Sequence, residues 1–133
     1  MARKYSTIAY VSGTRADFGL MSPVLKAIED TGSLRLKLYG TGMHLMPKFG
    51  STMKHVRQHF PKAGVIPATI KRDDIAGLSN YFADSVTAIT KTFQRSRPDF
   101  VLTLGDRPEM LAVAASCLYL HIPTGHIHGG ELS

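Results

Sequence analysis

The chain has 133 residues, of which 44% are apolar and 20% charged, and a net charge of +6. That balance suits one soluble domain with its own core. It excludes a low-complexity tract, and with no apolar run of ~18 residues it excludes a membrane helix. Cys117 is the single cysteine, so no internal disulfide can form. It sits in the apolar run 112–120, where a buried, inert thiol is expected, and a reducing cytoplasm fits that usage. The basic start is followed by too short an apolar stretch for a signal peptide. The charge is unevenly placed. No acidic residue lies between Asp30 and Asp73, a stretch that holds eight Lys and Arg residues. Such a segment either attracts anions (phosphate esters, nucleotides, nucleic acid) or forms a solvated basic surface.

Residues 5–12, rich in Ile, Val and Tyr, read as a buried strand. A helix is expected over about 20–31, with Pro23 in its first turn and Gly32 beyond its end. Residues 34–39 alternate apolar and basic side chains, as a strand would. Gly40-Thr41-Gly42 opens a loop, and 51–60 suggests a short basic helix. Residues 65–70 read as a third strand. The clearest helix is about 75–96, where Leu78, Phe82, Val86, Ile89 and Phe93 make one stripe. Asp73 and Asp74 suit its N-terminus; Lys91, Arg95 and Arg97 suit its C-terminus, before Pro98. A fourth strand over 100–104, a helix over 107–120 and a fifth strand over 122–127, interrupted by Pro123, complete the series.

Alternation of strand and helix predicts an α/β fold, a parallel sheet with helices on both faces. Ligands of such sheets gather at the carboxyl ends of the strands. Three polar clusters fall there. Gly13-Thr14-Arg15 follows the first strand; Gly13 permits a sharp turn, and helix-start N–H groups with Arg15 suit an anion. No GxGxxG pattern is present, so NAD binding is not supported. Gly105-Asp106-Arg107-Pro108-Glu109 follows the fourth strand. Asp106 with Glu109 has capping-box spacing, so Asp106 is expected as a helix N-cap that still faces the crevice. His126-Ile127-His128-Gly129-Gly130-Glu131 follows the fifth. His126 and His128 share a face if the strand persists, and with Glu131 they suit either zinc or hydrogen bonding at a strand end. Asp106 and Glu131 could serve as acid and base. His44, in Gly42-Met43-His44, could reach the same crevice, while His55 and His59 read as helix surface and Asp17 as a brace for its loop.

Taken together, Gly13-Thr14-Arg15-Ala16-Asp17-Phe18-Gly19, Gly42-Met43-His44-Leu45, Gly105-Asp106-Arg107-Pro108-Glu109-Met110 and His126-Ile127-His128-Gly129-Gly130-Glu131 resemble the UDP-N-acetylglucosamine 2-epimerases. The hydrolysing branch, which serves sialic acid-type sugar biosynthesis, is the closer match, because the other branch carries Pro-Glu where this chain has Ala16-Asp17. The resemblance spans about residues 7–131. It implies a GT-B fold, of which residues 1–133 would be an incomplete N-terminal Rossmann-like domain lacking the UDP-binding second domain. It implies elimination of UDP from UDP-GlcNAc, then hydration to N-acetylmannosamine, in the cytoplasm, with no metal or redox cofactor. Asp106 and Glu131 match the catalytic acid/base positions; Gly13, Arg15, His44, Arg107 and His128 match positions near the substrate. The full-length form is expected to be a homo-oligomer, and this fragment alone is expected to be inactive. A UDP-diacetamido sugar is an alternative substrate. A nucleic-acid-binding module is a different alternative, although aromatic stacking motifs are lacking; a zinc hydrolase built on His126, His128 and Glu131 is a third.

Overall fold

The computed structural model describes residues 6–50 and 52–129. Its elements, in chain order, are β1 (Ser6–Ser12), α1 (Arg15–Asp30), β2 (Leu34–Gly40), two 3₁₀ turns (Gly42–Leu45 and Pro47–Phe49), α2 (Met53–His59), β3 (Gly64–Val65), α3 (Ile75–Arg95), β4 (Phe100–Leu104), α4 (Pro108–Leu120) and β5 (Thr124–Ile127). The five strands form one parallel sheet in the order β3-β2-β1-β4-β5. This is the expected Rossmann-like arrangement. The strand order reverses between β1 and β4, and the crevice at such a reversal opens at the carboxyl ends.

Both faces of the sheet are covered, because successive side chains of a strand point opposite ways. Tyr10 of β1 packs with Leu38 and Leu104 against Phe18, Met21 and Leu25 of α1 and Met53 and Val56 of α2. Its neighbours Ala9 and Val11 pack with Val101 against Ile89 and Phe93 of α3 and Ala112, Val113 and Cys117 of α4. Each large apolar side chain fully buried here contributes about 1.5–3 kcal/mol. Cys117 is buried among them, and burial raises its thiol pKa to about 11, so the thiol is inert as expected.

Four expectations need correction. First, α1 begins at Arg15 rather than near residue 20. Thr14 and Asp17 form a capping box that starts the helix at once, which leaves Pro23 inside it. Second, the third strand is two residues long. Val65 pairs with Gly40, the last residue of β2, and Pro67 has no N–H to extend a ladder, so the chain beyond Ile66 lies beside the loop after β2, where the Ala68 carbonyl accepts from Gly42 N–H at 2.8 Å. Third, the buried side of α3 is Gly77, Tyr81, Ser85, Ile89, Thr92 and Phe93; Leu78 is exposed. The periodicity located the helix but misplaced its stripe by part of a turn. Fourth, the cap position of α4 is Arg107, without a side-chain cap bond, and not Asp106. Pro108 enters at the first turn, and Glu109 turns inward instead of back to the cap.

Candidate active site at the carboxyl edge

The exit from β1 is organised by Asp17. Its Oδ2 accepts from the backbone N–H groups of Gly13 (3.0 Å) and Thr14 (2.7 Å); its Oδ1 accepts from the Tyr10 hydroxyl (2.8 Å) and the Ser12 hydroxyl (2.7 Å). The carboxylate thus fixes a turn whose N–H groups would otherwise be orphaned. Asp17 braces the loop, as the sequence suggests. Ser12 continues the chain of bonds to His44 Nε2 at 2.7 Å, and His44 Nδ1 meets Thr52 Oγ1 at 2.7 Å. With the Ser12 hydrogen directed to Asp17, Nε2–H is the donor and Nδ1 accepts from Thr52. That is the neutral imidazole, and burial accordingly holds the His44 pKa below its ordinary value. His44 is fully buried and both of its nitrogens are occupied. Arg15, one residue after the cap, is exposed at the helix start.

The exit from β4 is a turn at Gly105, whose φ of 72° favours glycine. Gly105 is tied to β5 twice. Its N–H donates to the Ile127 carbonyl at 3.0 Å, and its carbonyl accepts from His126 Nε2 at 2.6 Å. Asp106 follows, exposed, with no side-chain bond to the described residues. Glu109 is fully buried, which a carboxylate tolerates only when well partnered. Arg107 Nε donates to it at 2.8 Å and Arg107 Nη2 at 3.4 Å, while the Tyr81 hydroxyl from α3 donates at 2.6 Å. Burial, reinforced by that carboxylate, pushes the Tyr81 phenol above its usual range.

Two strand-end glycines make room for this cluster. A Cβ on Gly13 would overlap the Glu109 carboxyl group, and a Cβ on Gly42 would overlap the Tyr81 hydroxyl. The loops after β1 and β2 are also joined directly: Met43 N–H donates to the Gly13 carbonyl at 3.1 Å and Thr41 N–H to that of Ser12 at 2.9 Å. The two loops, bonded to each other, and the start of α4, packed over Gly13 through the Glu109 carboxyl group, therefore form one rim. Beside it Arg107 lines a groove of about 510 Å³ with Met43, Lys48, Lys71, Arg72 and Leu78. Part of the basic segment thus faces the rim, although Lys71 is also paired with Asp84 (3.8 Å) and Arg72 with Asp74 (2.5 Å). A second groove, of about 540 Å³, runs along α3 past Lys91 and Arg95 and includes neither Asp106 nor Arg107.

At β5 the strand ends with Ile127, and His128 adopts a left-handed φ of 59°. The alternation needed to put His126 and His128 on one face therefore stops between them. Among the described residues no group of three His, Cys, Asp or Glu side chains could hold a metal ion. Glu131 lies outside the described residues. The structure thus brings Gly13, Arg107, Asp106 and His126 to one edge, with Arg15 at the start of α1 and His128 at the end of β5 on the same side of the sheet. Sequence reasoning missed Tyr81 and the inward role of Glu109. A glutamate in the first turn of an otherwise apolar helix was the available signal.

The chain matches the model of a family described as UDP-N-acetylglucosamine 2-epimerase over residues 26–133. It is 39% identical over 127 residues to a UDP-N,N'-diacetylbacillosamine 2-epimerase (hydrolyzing) of Legionella pneumophila, covering 95% of this chain and 34% of that protein. It is also 39% identical over 126 residues to a GDP/UDP-N,N'-diacetylbacillosamine 2-epimerase (hydrolyzing) of Campylobacter jejuni, covering 95% of this chain and 33% of that one. The chain spans about a third of the length of these curated relatives. The crystal structure of UDP-GlcNAc 2-epimerase from Neisseria meningitidis bound to UDP-GlcNAc superimposes with a TM-score of 0.77 at 23% identity, over 96% of this chain and 33% of that one. That likeness is one of fold.

Proposed function

The chain belongs to the UDP-N-acetylglucosamine 2-epimerase family, and from that premise we propose that it forms the sugar-facing edge of a hydrolysing UDP-sugar 2-epimerase. The observation that carries the reading is the rim itself. Asp106, exposed and unpaired with the described residues, stands next to a guanidinium held in place, at the reversal of strand order.

The chemistry has two steps. In the first, a base removes the proton from C2 of the sugar while the C1–O bond to UDP breaks, leaving a C1=C2 double bond. No carbonyl acidifies that C–H bond, so the base must be positioned, and cationic or N–H donors must stabilise the departing diphosphate. In the second, water adds to C1 and a proton returns to C2 from the opposite face. In this proposal Asp106 is one acid/base group and Glu131 the other. Arg107 and Arg15, with the N–H groups at the start of α1, meet the diphosphate. Gly13 lets the first loop lie close to the ligand, and His128 lines the far end of the rim. His44 acts through Ser12 and Asp17, keeping the loops in register. No redox group has a part in either step. Cytoplasmic location and self-association of the full-length enzyme belong to the same proposal.

The 39% identity to two proteins named for diacetylbacillosamine favours a second reading of the sugar: a 2,4-diacetamido UDP-sugar rather than UDP-GlcNAc. One experiment tests both. The full-length protein is incubated with each UDP-sugar in D₂O, and products are followed by proton NMR. Free UDP and an epimerised sugar carrying deuterium at C2 are expected from one of the two substrates. UDP release with the C2 proton retained, or no turnover of either, would refute the proposal.

A further inference from the structure

We propose that Tyr81 and Glu109 are a positioning pair for Arg107, and that the glycines at positions 13 and 42 are there to admit that pair. The inference rests on the proposed binding of a UDP-sugar at this edge. Glu109 is fully buried, yet neither of its oxygens lacks a partner. One oxygen takes Arg107 Nε; the other takes the Tyr81 hydroxyl from a different helix and, more distantly, Arg107 Nη2. An arginine has five N–H donors in a rigid plane. Glu109 engages the Nε edge, so the plane's orientation is fixed and its outer N–H groups remain for the groove beside Met43, Lys71 and Arg72. Tyr81 fixes Glu109 in turn. Its hydroxyl sits over the bare Cα of Gly42, and the Glu109 carboxyl group sits over the bare Cα of Gly13. Both contacts lie on loops that end parallel strands. The guanidinium is therefore held by α3 and by the β1 and β2 exits, as well as by its own loop.

A merely structural role would predict something different. Arg107 would then bind UDP equally well whether or not Tyr81 and Glu109 were intact, and their removal would lower stability alone. The test uses UDP as the probe, with calorimetric affinity and thermal melting of the full-length protein. Arg107→Ala, Tyr81→Phe and Glu109→Gln are measured singly, and the last two again in the Arg107→Ala background. Tyr81→Phe removes one hydroxyl from a helix-packed ring, so it keeps the test open should Glu109→Gln fail to fold. Singly, Tyr81→Phe is expected to weaken UDP binding about tenfold, the effect of a lost charge-assisted hydrogen bond. In the Arg107→Ala background it is expected to change UDP affinity less than about twofold, while its effect on melting persists. Tyr81→Phe leaving affinity unchanged, or weakening it equally with and without Arg107, overturns the inference. Arg107→Ala leaving UDP affinity unchanged overturns the proposed site together with the inference, so the two failures are distinguishable.

Discussion

Replacing Asp17 by alanine should unfasten the β1 exit more severely than any single surface change. Five bonds converge on this carboxylate, from Tyr10, Ser12, the Gly13 and Thr14 amides and the Thr14 hydroxyl. Hydrogen bonds to a charged group contribute roughly 1.5–3 kcal/mol each, but these five share one charge and water can reach part of the space left behind. We therefore expect a loss of about 4 kcal/mol rather than the simple total. Thr14→Ala removes only the side-chain half of the capping box and should cost about 1 kcal/mol. Native-state hydrogen exchange of the β1 amides in the full-length protein reads both directly. The first variant should speed exchange about a thousandfold and the second about fivefold, at 1.4 kcal/mol per factor of ten. Asp17→Ala accelerating exchange less than about tenfold would refute the assignment of Asp17 as the hub of the turn.

Other outcomes follow from the same geometry. In the full-length enzyme Asp106→Asn should lower kcat by about 10²–10⁴-fold with little change in melting temperature, because its side chain is exposed and bonded to no described residue; kinetics beside thermal melts check this. Gly42→Ala should destabilise the protein through both its φ of 59° and overlap with the Tyr81 hydroxyl, and adding Tyr81→Phe should restore part of the loss in the same melts. The His44 pKa is depressed by burial, so protonation favours the unfolded chain. Its contribution to stability is complete above the ordinary histidine pKa of ~6.5 and declines as the pH falls from there through the folded value. Nitrogen-15 NMR should show the Nε2–H tautomer at pH 7 and a titration midpoint below 6.5. Cys117, with a pKa near 11, should resist alkylation at pH 8 in the native protein and react once denaturant is added, as mass spectrometry would show.

Much of the fold is legible from residue patterns. Apolar runs bounded by Gly and Pro located β1 and β4, and their alternation with helices implied the parallel sheet. What stayed hidden depended on contacts between distant residues. The start of α1 is a separate case: Pro23 suits a first turn, but the local Thr14–Asp17 capping box starts the helix earlier, and the hydroxyls of Tyr10 and Ser12 also converge on Asp17. Local spacing made Asp106 and Glu109 a capping box. Tyr81, 28 residues before Glu109, draws that glutamate inward instead. The clustering of Asp106, Arg107 and Gly13 was readable because strand ends of a parallel sheet share one side. The bond from Arg107 to Glu109, and the packing of that carboxyl group over Gly13, were not, since nothing local in the sequence says that a glycine is empty to admit a carboxylate.

The two-residue pairing of β3 bears on how this molecule meets its own kind. Just past that pairing the chain reaches Pro67, which has no hydrogen to offer an incoming extended peptide, so a neighbouring chain cannot zip far along this border. Crowded or partly unfolded copies are thereby denied a template on that flank. Resistance to stacking into fibrous aggregates is built into a ring that has no part in the proposed chemistry.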